Sequence, residues 1–171
     1  MTTSASRPIR IAAVDPSADP RLAAQLLSVQ HASYRIEAEL IGVDTIPQLH
    51  EDAAGLASSG LGWIAAFEAL EALEGSAASG SSPVLGALAW SARHDAFEIE
   101  RLVVSPDHFR RGIARRLVGE ALRLADGRPV AVSTGRDNPP ARRLYESAGF
   151  VHLGDAEAAP GVHLAHYEFR G

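Results

Sequence analysis

Apolar positions along this chain change between two periods, which predicts strands and helices in alternation. Runs with a period of two predict strands at 8–14, 62–67, 84–92, 97–104 and 129–134, and around 150–154 and 162–169. Apolar residues three and four apart predict helices at 19–40, 46–58, 111–126 and 138–148, with a break near Gly42-Val43-Asp44. Mixed strands with helices on both faces make the expected fold class α/β, or α+β by a stricter definition.

The fourth predicted strand changes the phase of its alternation. Its strongly apolar residues fall first on odd positions, Phe97 and Ile99, and then on even positions, Leu102 and Val104. A period-two pattern changes phase when one extra residue is inserted into the strand. We therefore expect a β-bulge near Glu100-Arg101.

The turn that follows this strand predicts an anion-binding site. Residues 106–114 lead from the strand into an amphipathic helix, so free backbone N–H groups at the helix N-terminus converge on one spot. Four arginines lie in or beside the turn: Arg110, Arg111, Arg115 and Arg116. The turn lacks the G-x-G-x-x-G dinucleotide pattern, and the chain contains no lysine. These absences exclude a P-loop nucleotidase and a pyridoxal-phosphate enzyme.

The same turn resembles the acetyl-CoA-binding signature of the GNAT superfamily of N-acetyltransferases, (Gln/Arg)-x-x-Gly-x-(Gly/Ala). Gly112 and Ala114 match its last two fixed positions, whereas Phe109 departs from the first. This departure leaves the backbone donors of Arg110 to Arg115 unaffected. Residues 138–150 resemble the second family block, Asn-x-x-Ala-x-x-x-Tyr-x-x-x-Gly-Phe, without departure. The resemblance covers roughly residues 84–170.

This resemblance implies a fold and a cosubstrate. The fold would be GNAT-like: a mixed, mostly antiparallel sheet of six to seven strands, splayed between strands four and five, with about four flanking helices. Acetyl-CoA would be the cosubstrate, with its pantetheine arm in the splayed gap. The residues expected to bind it are Leu102, Val103, Val104, Arg110, Arg111, Gly112, Ile113, Ala114, Arg115, Asn138 and Arg142. For Arg115 and Arg142, a solvated helix face is an equal alternative.

Three residues are candidates for proton transfer. Tyr145, in the second block, is the candidate general acid, because a phenol can protonate a thiolate leaving group of similar basicity. Its alternative role is to pack the last helix against the sheet. Glu98 and Glu100 are the candidate bases, with a slight preference for Glu98, and for each a solvated or salt-bridged carboxylate is the alternative. Backbone N–H groups beside the bulge are the expected oxyanion donors.

The expected function is transfer of the acetyl group of acetyl-CoA to a primary amine of a small molecule or peptide. Attack would be direct, in a ternary complex, because the chain has no cysteine to form an acetyl-enzyme. The alternative is a non-catalytic acyl-CoA-binding sensor or interaction domain. The resemblance places the acceptor near the first two helices, at residues including Tyr34, Arg35, Glu37 and Glu39, and near the final strands. The acidic residues of this region would suit a cationic amine, or would simply be solvated: Glu37, Glu39, Asp44, Glu51 and Asp52.

Composition bounds the remaining expectations. A length of 171 residues predicts one domain, 1–171, with a disordered start at 1–6 and a mobile low-complexity loop at 75–82. We expect no metal, because cysteine is absent and the spacing of His163 and His166 puts them on opposite faces of a strand. A net charge of −5 and the lack of a long apolar run predict neither a nucleic-acid nor a membrane partner. The expected location is the cytoplasm of a bacterium, and a homodimer is left open.

Overall fold

The computed structural model describes residues 7–43, 46–69, 82–93 and 96–171. The expected disordered start lies outside these ranges, as does the expected mobile loop apart from Ser82. Its strands are β1 (Ile9–Val14), β2 (Gly62–Glu68), β3 (Val84–Arg93), β4 (Ala96–Val104), β5 (Val130–Gly135), β6 (Val151–Ala159) and β7 (Val162–Phe169). Its α-helices are α1 (Pro20–Ile41), α2 (Ala53–Ala57), α3 (Ile113–Ala125) and α4 (Pro139–Ser147). Short 3₁₀ turns cover Pro47–Leu49 and Pro106–His108.

The seven strands form one sheet in the order β1-β2-β3-β4-β5-β7-β6. Neighbouring strands pair antiparallel except β4 and β5, which run parallel and are connected through α3. Because both strands run in the same direction, their carboxyl ends meet at one edge of the sheet. The turn before α3 and the turn before α4 therefore start from the same edge.

The predicted bulge is confirmed at Glu100. In the register of β3 with β4, Arg101 lies opposite Ala89 and Ile99 lies opposite Trp90, so Glu100 has no partner residue. The bulge also marks where β4 and β5 part, since their paired register ends at Ile99 opposite Val132. Beyond it, no strand of the described residues pairs with this edge of β4, which leaves a gap in the sheet.

The bulge determines which face of the sheet each β4 side chain joins. Phe97, Ile99 and Val104 are buried in the core beneath α3, whereas Val103 is buried in the second core, beneath α1 and α2. Gly86 on β3 lets α3 approach closely, because a Cβ there would lie 3.0 Å from the Ile113 side chain on α3, as well as 2.9 Å from the Val103 carbonyl oxygen of β4. The extra residue at the bulge thus lets the odd-numbered apolar residues before it and the even-numbered apolar residues after it face the same core.

The helix predicted over 46–58 is wrong in length. The structure has a 3₁₀ turn at Pro47–Leu49 and only five residues of α-helix in α2. The helix restarts at Asp52, whose carboxylate accepts the Gly55 N–H at 2.7 Å and acts as an N-cap. Just before this cap, Glu51 forms an ion pair with Arg101 on β4. A tertiary contact and a local cap therefore take the place of the continuous helix.

No helix in the described ranges combines the length and the apolar character needed to cross a membrane.

Candidate active site

A cavity of about 460 Å³ opens where β4 and β5 part. Its walls come from α1, the bulged half of β4, the turn before α3, the end of β5 and the first turns of α4. The sequence motifs at 106–114 and 138–150, which are separated along the chain, thus meet at one site. Residues from the α1 face and from the α3 face both line the cavity, so it passes through the gap in the sheet.

The N-terminus of α3 forms one wall of this cavity. Gly112 precedes the helix with φ of 75° and provides no side-chain cap, whereas α1, α2 and α4 are capped by side chains. The first intrahelical bond runs from the Arg116 N–H to the Gly112 carbonyl, at 3.1 Å. The N–H groups of Ile113, Ala114 and Arg115 consequently have no acceptor within the helix. All three residues line the cavity.

The turn before α3 adds to this concentration of donors. Arg110 has φ of 62°, an uncommon conformation for a residue with a side chain, and it shares the left-handed region with Gly112. Backbones that enter this region at alternate residues can turn their N–H groups into a concave, anion-binding nest. The exposed side chains of Arg110 and Arg115 line the same wall. This end of the cavity is therefore positive, and its geometry suits a phosphate group.

Not every predicted anion-binding arginine reaches the cavity. Arg111 turns away from it, forms an ion pair with Glu68 at 3.4 Å and donates to the Arg7 carbonyl oxygen at 3.3 Å. Arg142 also lies outside the cavity lining, because its Nε donates to the Tyr167 hydroxyl at 3.0 Å and its Nη1 donates to the Arg136 carbonyl oxygen at 3.1 Å. The structure thus brings together Arg110 and Arg115 and leaves the other two guanidinium groups elsewhere.

Strand β4 supplies the long wall. Leu102 and Val104 line the cavity. Val103, the third residue predicted there, points into the opposite core with 1% of its surface exposed, so only its backbone is left to contact a ligand in the gap. Asn138 lines the cavity while its side-chain oxygen accepts the Ala141 N–H at 3.2 Å and caps α4.

Tyr145 is both a core residue and part of the cavity wall. Only 4% of its surface is exposed, and its ring packs edge-on against Phe150 with a centroid separation of 5.5 Å. Burial raises the pKa of the Tyr145 hydroxyl well above its ordinary value, and the nearby Tyr34 and Glu37 raise it further. The hydroxyl is therefore protonated at neutral pH, which is the state that a general acid requires.

The two candidate bases occupy different environments. Glu100, at the bulge, lines the cavity, and its carboxylate accepts a hydrogen bond from the Ser91 hydroxyl at 2.7 Å. Glu98 is exposed and is not part of the cavity lining. Glu100, rather than the preferred Glu98, thus lines the same cavity as Tyr145.

Among the acidic residues named for the acceptor side, Glu37 lines the cavity. Glu39 is exposed outside it, Asp52 caps α2, and Asp44 lies outside the described residues. Burial alone would raise the pKa of Glu51, but hydrogen bonds from Arg101 and Gln30 outweigh that effect and lower it. Glu51 is thus engaged by protein groups rather than open to a ligand.

Sequence reasoning missed several polar residues of the cavity. His108, in the turn, and Ser133 and Thr134, on β5, all contribute to its lining. The two β5 residues could have been noticed as the polar end of an otherwise apolar strand. The His163/His166 pair contributes nothing to the cavity lining: the Nδ1 of His166 lies 2.7 Å from the Ser133 hydroxyl. Within the described ranges, no group of three His, Cys, Asp or Glu side chains is arranged to hold a metal ion.

A family model described as "Acetyltransferase (GNAT) family" matches residues 47–150, which is more than half of the chain. The chain belongs to the GNAT acetyltransferase family. The match includes both motifs and the strands that form the gap. The GNAT resemblance inferred from the two sequence motifs is thereby confirmed.

The chain also matches curated relatives over part of their length. The chain is 32% identical over 145 residues to UPF0157 protein YqkA of Bacillus subtilis, covering 84% of this chain and 39% of that protein. It spans less than two-fifths of the length of the curated relatives it matches.

Solved structures share the whole fold at low sequence identity. The PaiA N-acetyltransferase from Thermoplasma acidophilum, solved in complex with coenzyme A, superposes with a TM-score of 0.68 at 14% identity, covering 95% of this chain and 99% of that chain. The ribosomal-protein-S18-alanine N-acetyltransferase from Escherichia coli superposes with a TM-score of 0.68 at 13% identity, covering 95% of this chain and 94% of that chain. The expected GNAT-like fold, splayed at strands four and five, is confirmed.

Proposed function

We propose that this protein is an N-acetyltransferase that moves the acetyl group of acetyl-CoA to a primary amine of a small molecule or peptide. The observation that carries the proposal is the uncapped N-terminus of α3, which opens into the same cavity as Tyr145. The coenzyme A complex of the similar PaiA structure supports it. The strands described for the present protein all belong to one sheet, which supports the proposal of a single acetyltransferase domain at 1–171.

The cosubstrate fits the two walls of the gap. The free N–H groups of Ile113, Ala114 and Arg115 and the side chain of Arg110 would hold the pyrophosphate. The unpaired edge of β4 at 102–104 would offer backbone hydrogen bonds to the amide groups of the pantetheine arm. Because Phe109 replaces the polar residue of the family pattern, the cradle would act chiefly through backbone donors.

The residues of the gap would divide the chemistry among themselves. As the acceptor nitrogen forms a bond to the thioester carbon, backbone N–H groups beside Glu100 would stabilise the oxyanion. When the carbon–sulfur bond breaks, Tyr145 would donate its hydroxyl proton to the departing sulfur. The protons lost by the nitrogen pass to a base and to solvent, and one of them restores Tyr145. Glu100 is the better placed of the two predicted bases, whereas Glu98 would need a chain of water molecules.

Two measurements on the wild-type chain test this proposal. Calorimetry should detect coenzyme A binding, and a thiol-release assay with acetyl-CoA should detect turnover with amines from a panel of small amines, amino acids and peptides. Binding without thiol release on any acceptor would favour the non-catalytic acyl-CoA sensor. Absence of coenzyme A binding would contradict both functions.

A further inference from the structure

The cavity has opposite charges on its two sides. The side formed by the turn before α3 contributes Arg110, Arg115 and the positive end of the helix dipole. The side formed by α1 contributes Glu37. A cosubstrate that carries phosphate groups would occupy the first side, so the acceptor is left with the second. This layout predicts that the acceptor approaches a carboxylate.

Glu37 is positioned at this side by its helix and by the end of β5. Tyr34 lies one helical turn earlier on the same face of α1 and also lines the cavity. Gly135, the last residue of β5, lets α1 come close, because a Cβ there would lie 2.9 Å from the Ile41 side chain and 3.7 Å from a carboxylate oxygen of Glu37. The carboxylate is thus held at the open end of the gap between β4 and β5.

The protein itself does not neutralise this carboxylate within the described ranges. None of the ion pairs there includes Glu37. Arg101 also lines the cavity, but its guanidinium pairs with Glu51 through both terminal nitrogens. Glu100, the other carboxylate of the lining, accepts a hydrogen bond from Ser91. That neutral donor leaves the Glu100 charge in place, but Glu100 lies on β4 at the bulge. On the α1 side of the cavity, Glu37 is the carboxylate that an entering cation would meet.

We propose that Glu37 determines acceptor specificity by binding the acceptor amine as its ammonium ion, with the rings of Tyr34 and Tyr145 beside it. This inference rests on the proposed acetyltransferase function and narrows the acceptor to an amine that is cationic at neutral pH. A carboxylate flanked by aromatic rings attracts an ammonium ion by charge and by the ring quadrupole. Burial raises the pKa of the Tyr34 hydroxyl well above its ordinary value, and the charge of Glu37 raises it further. Glu37 also raises the pKa of Tyr145, so all three groups are close enough to share one pocket.

The test compares two acceptors of similar size and different charge. Benzylamine is an ammonium ion at neutral pH, whereas aniline is neutral. In the thiol-release assay, Glu37→Gln should raise KM for benzylamine roughly 10- to 100-fold, as expected for the loss of a charge-assisted contact. KM for aniline and for acetyl-CoA should change less than about twofold. Glu39→Gln removes the same charge from an exposed site two residues away, and it should leave all three values unchanged.

A binding measurement makes the result independent of turnover. Benzyltrimethylammonium is a permanent cation that cannot be acetylated, and calorimetry should show that it binds the wild-type chain at least about tenfold more tightly than it binds Glu37→Gln. Equal affinities, no binding to the wild type, or an equal loss in Glu39→Gln would overturn the inference. Thermal melting of each variant confirms that it is folded. If coenzyme A binding and thiol release are both missing, the proposed function fails, while the cation titration still decides the role of Glu37.

Discussion

At the scale of single residues, core packing and a position in the cavity wall prove compatible for Tyr145, although sequence reasoning set packing as the alternative to its predicted role as general acid. It packs in the core beneath α3 and it lines the cavity. The sequence could identify it because its position depends on a local helical motif. The same reasoning could not separate Glu98 from Glu100, since that choice depends on where the gap ends. Nor could it assign Glu51, whose partner Arg101 lies fifty positions away.

The hydroxyl of Tyr145 can be removed while its ring is kept. In Tyr145→Phe, we expect kcat for acetyl transfer to fall by roughly 100-fold or more, because the departing sulfur loses its proton donor. The affinity for coenzyme A should stay within about twofold, since the ring still fills the core. Calorimetry and the thiol-release assay measure the two quantities. A fully active Tyr145→Phe variant would show that another group protonates the sulfur.

At the scale of elements, the sequence predicted what local pattern controls. The bulge of β4 follows from a phase change within eight residues, and α3 and α4 follow from amphipathic periods with recognisable ends. The length of the helix predicted at 46–58 was overestimated, because the Glu51–Arg101 contact in the middle of this segment joins residues that are distant in the sequence. The direction of the Arg142 side chain was missed for the same reason, as its partner Tyr167 lies on β7.

The anion cradle of α3 can be tested with a matched pair of glycines. Gly112 and Gly127 lie at opposite ends of α3, have φ of 75° and 78°, and would each place a Cβ in open space. Alanine at either position should therefore lower the free energy of unfolding by a similar amount, about 1 kcal/mol, through backbone strain alone. Gly112→Ala should in addition weaken coenzyme A binding severalfold, because it disturbs the N–H groups of the cradle.

Denaturant unfolding and calorimetry on both variants separate these two effects. Equal loss of coenzyme A affinity in Gly112→Ala and Gly127→Ala would mean that general destabilisation, rather than the cradle, controls binding. Unchanged affinity in Gly112→Ala would place the phosphate groups elsewhere.

At the scale of the whole molecule, one polar network connects the α1 side of the cavity to the bulge. Arg101 on β4 donates to Glu51, ahead of α2, and to the side-chain oxygen of Gln30 on α1 at 2.9 Å. Gln30 in turn donates to Glu51 at 2.8 Å and to the Gln48 carbonyl oxygen at 3.1 Å. Three segments that are far apart in the sequence are thereby held in one arrangement next to the gap between β4 and β5.

Removing one partner of this network should be costly. Arg101→Met leaves the Glu51 carboxylate largely buried without its cation, so we expect the free energy of unfolding to fall by about 2 kcal/mol, somewhat less than for a fully buried pair. The double variant Arg101→Met/Glu51→Met should lose less free energy of unfolding than the sum of the losses in the single variants, since no charge is left unpaired.

The same ion pair should make stability depend on pH. Because the folded state lowers the pKa of Glu51, the stability that its ionised form contributes is present above its unfolded pKa of about 4.3 and is lost as pH falls through the folded value. Urea unfolding should therefore show the gap between the wild type and Glu51→Gln closing below about pH 4. Glu120→Gln, which breaks an exposed pair with Arg123, should cause a much smaller loss. Additive losses in the double variant, or a gap that is independent of pH, would mean that the pair does not stabilise the fold as a unit.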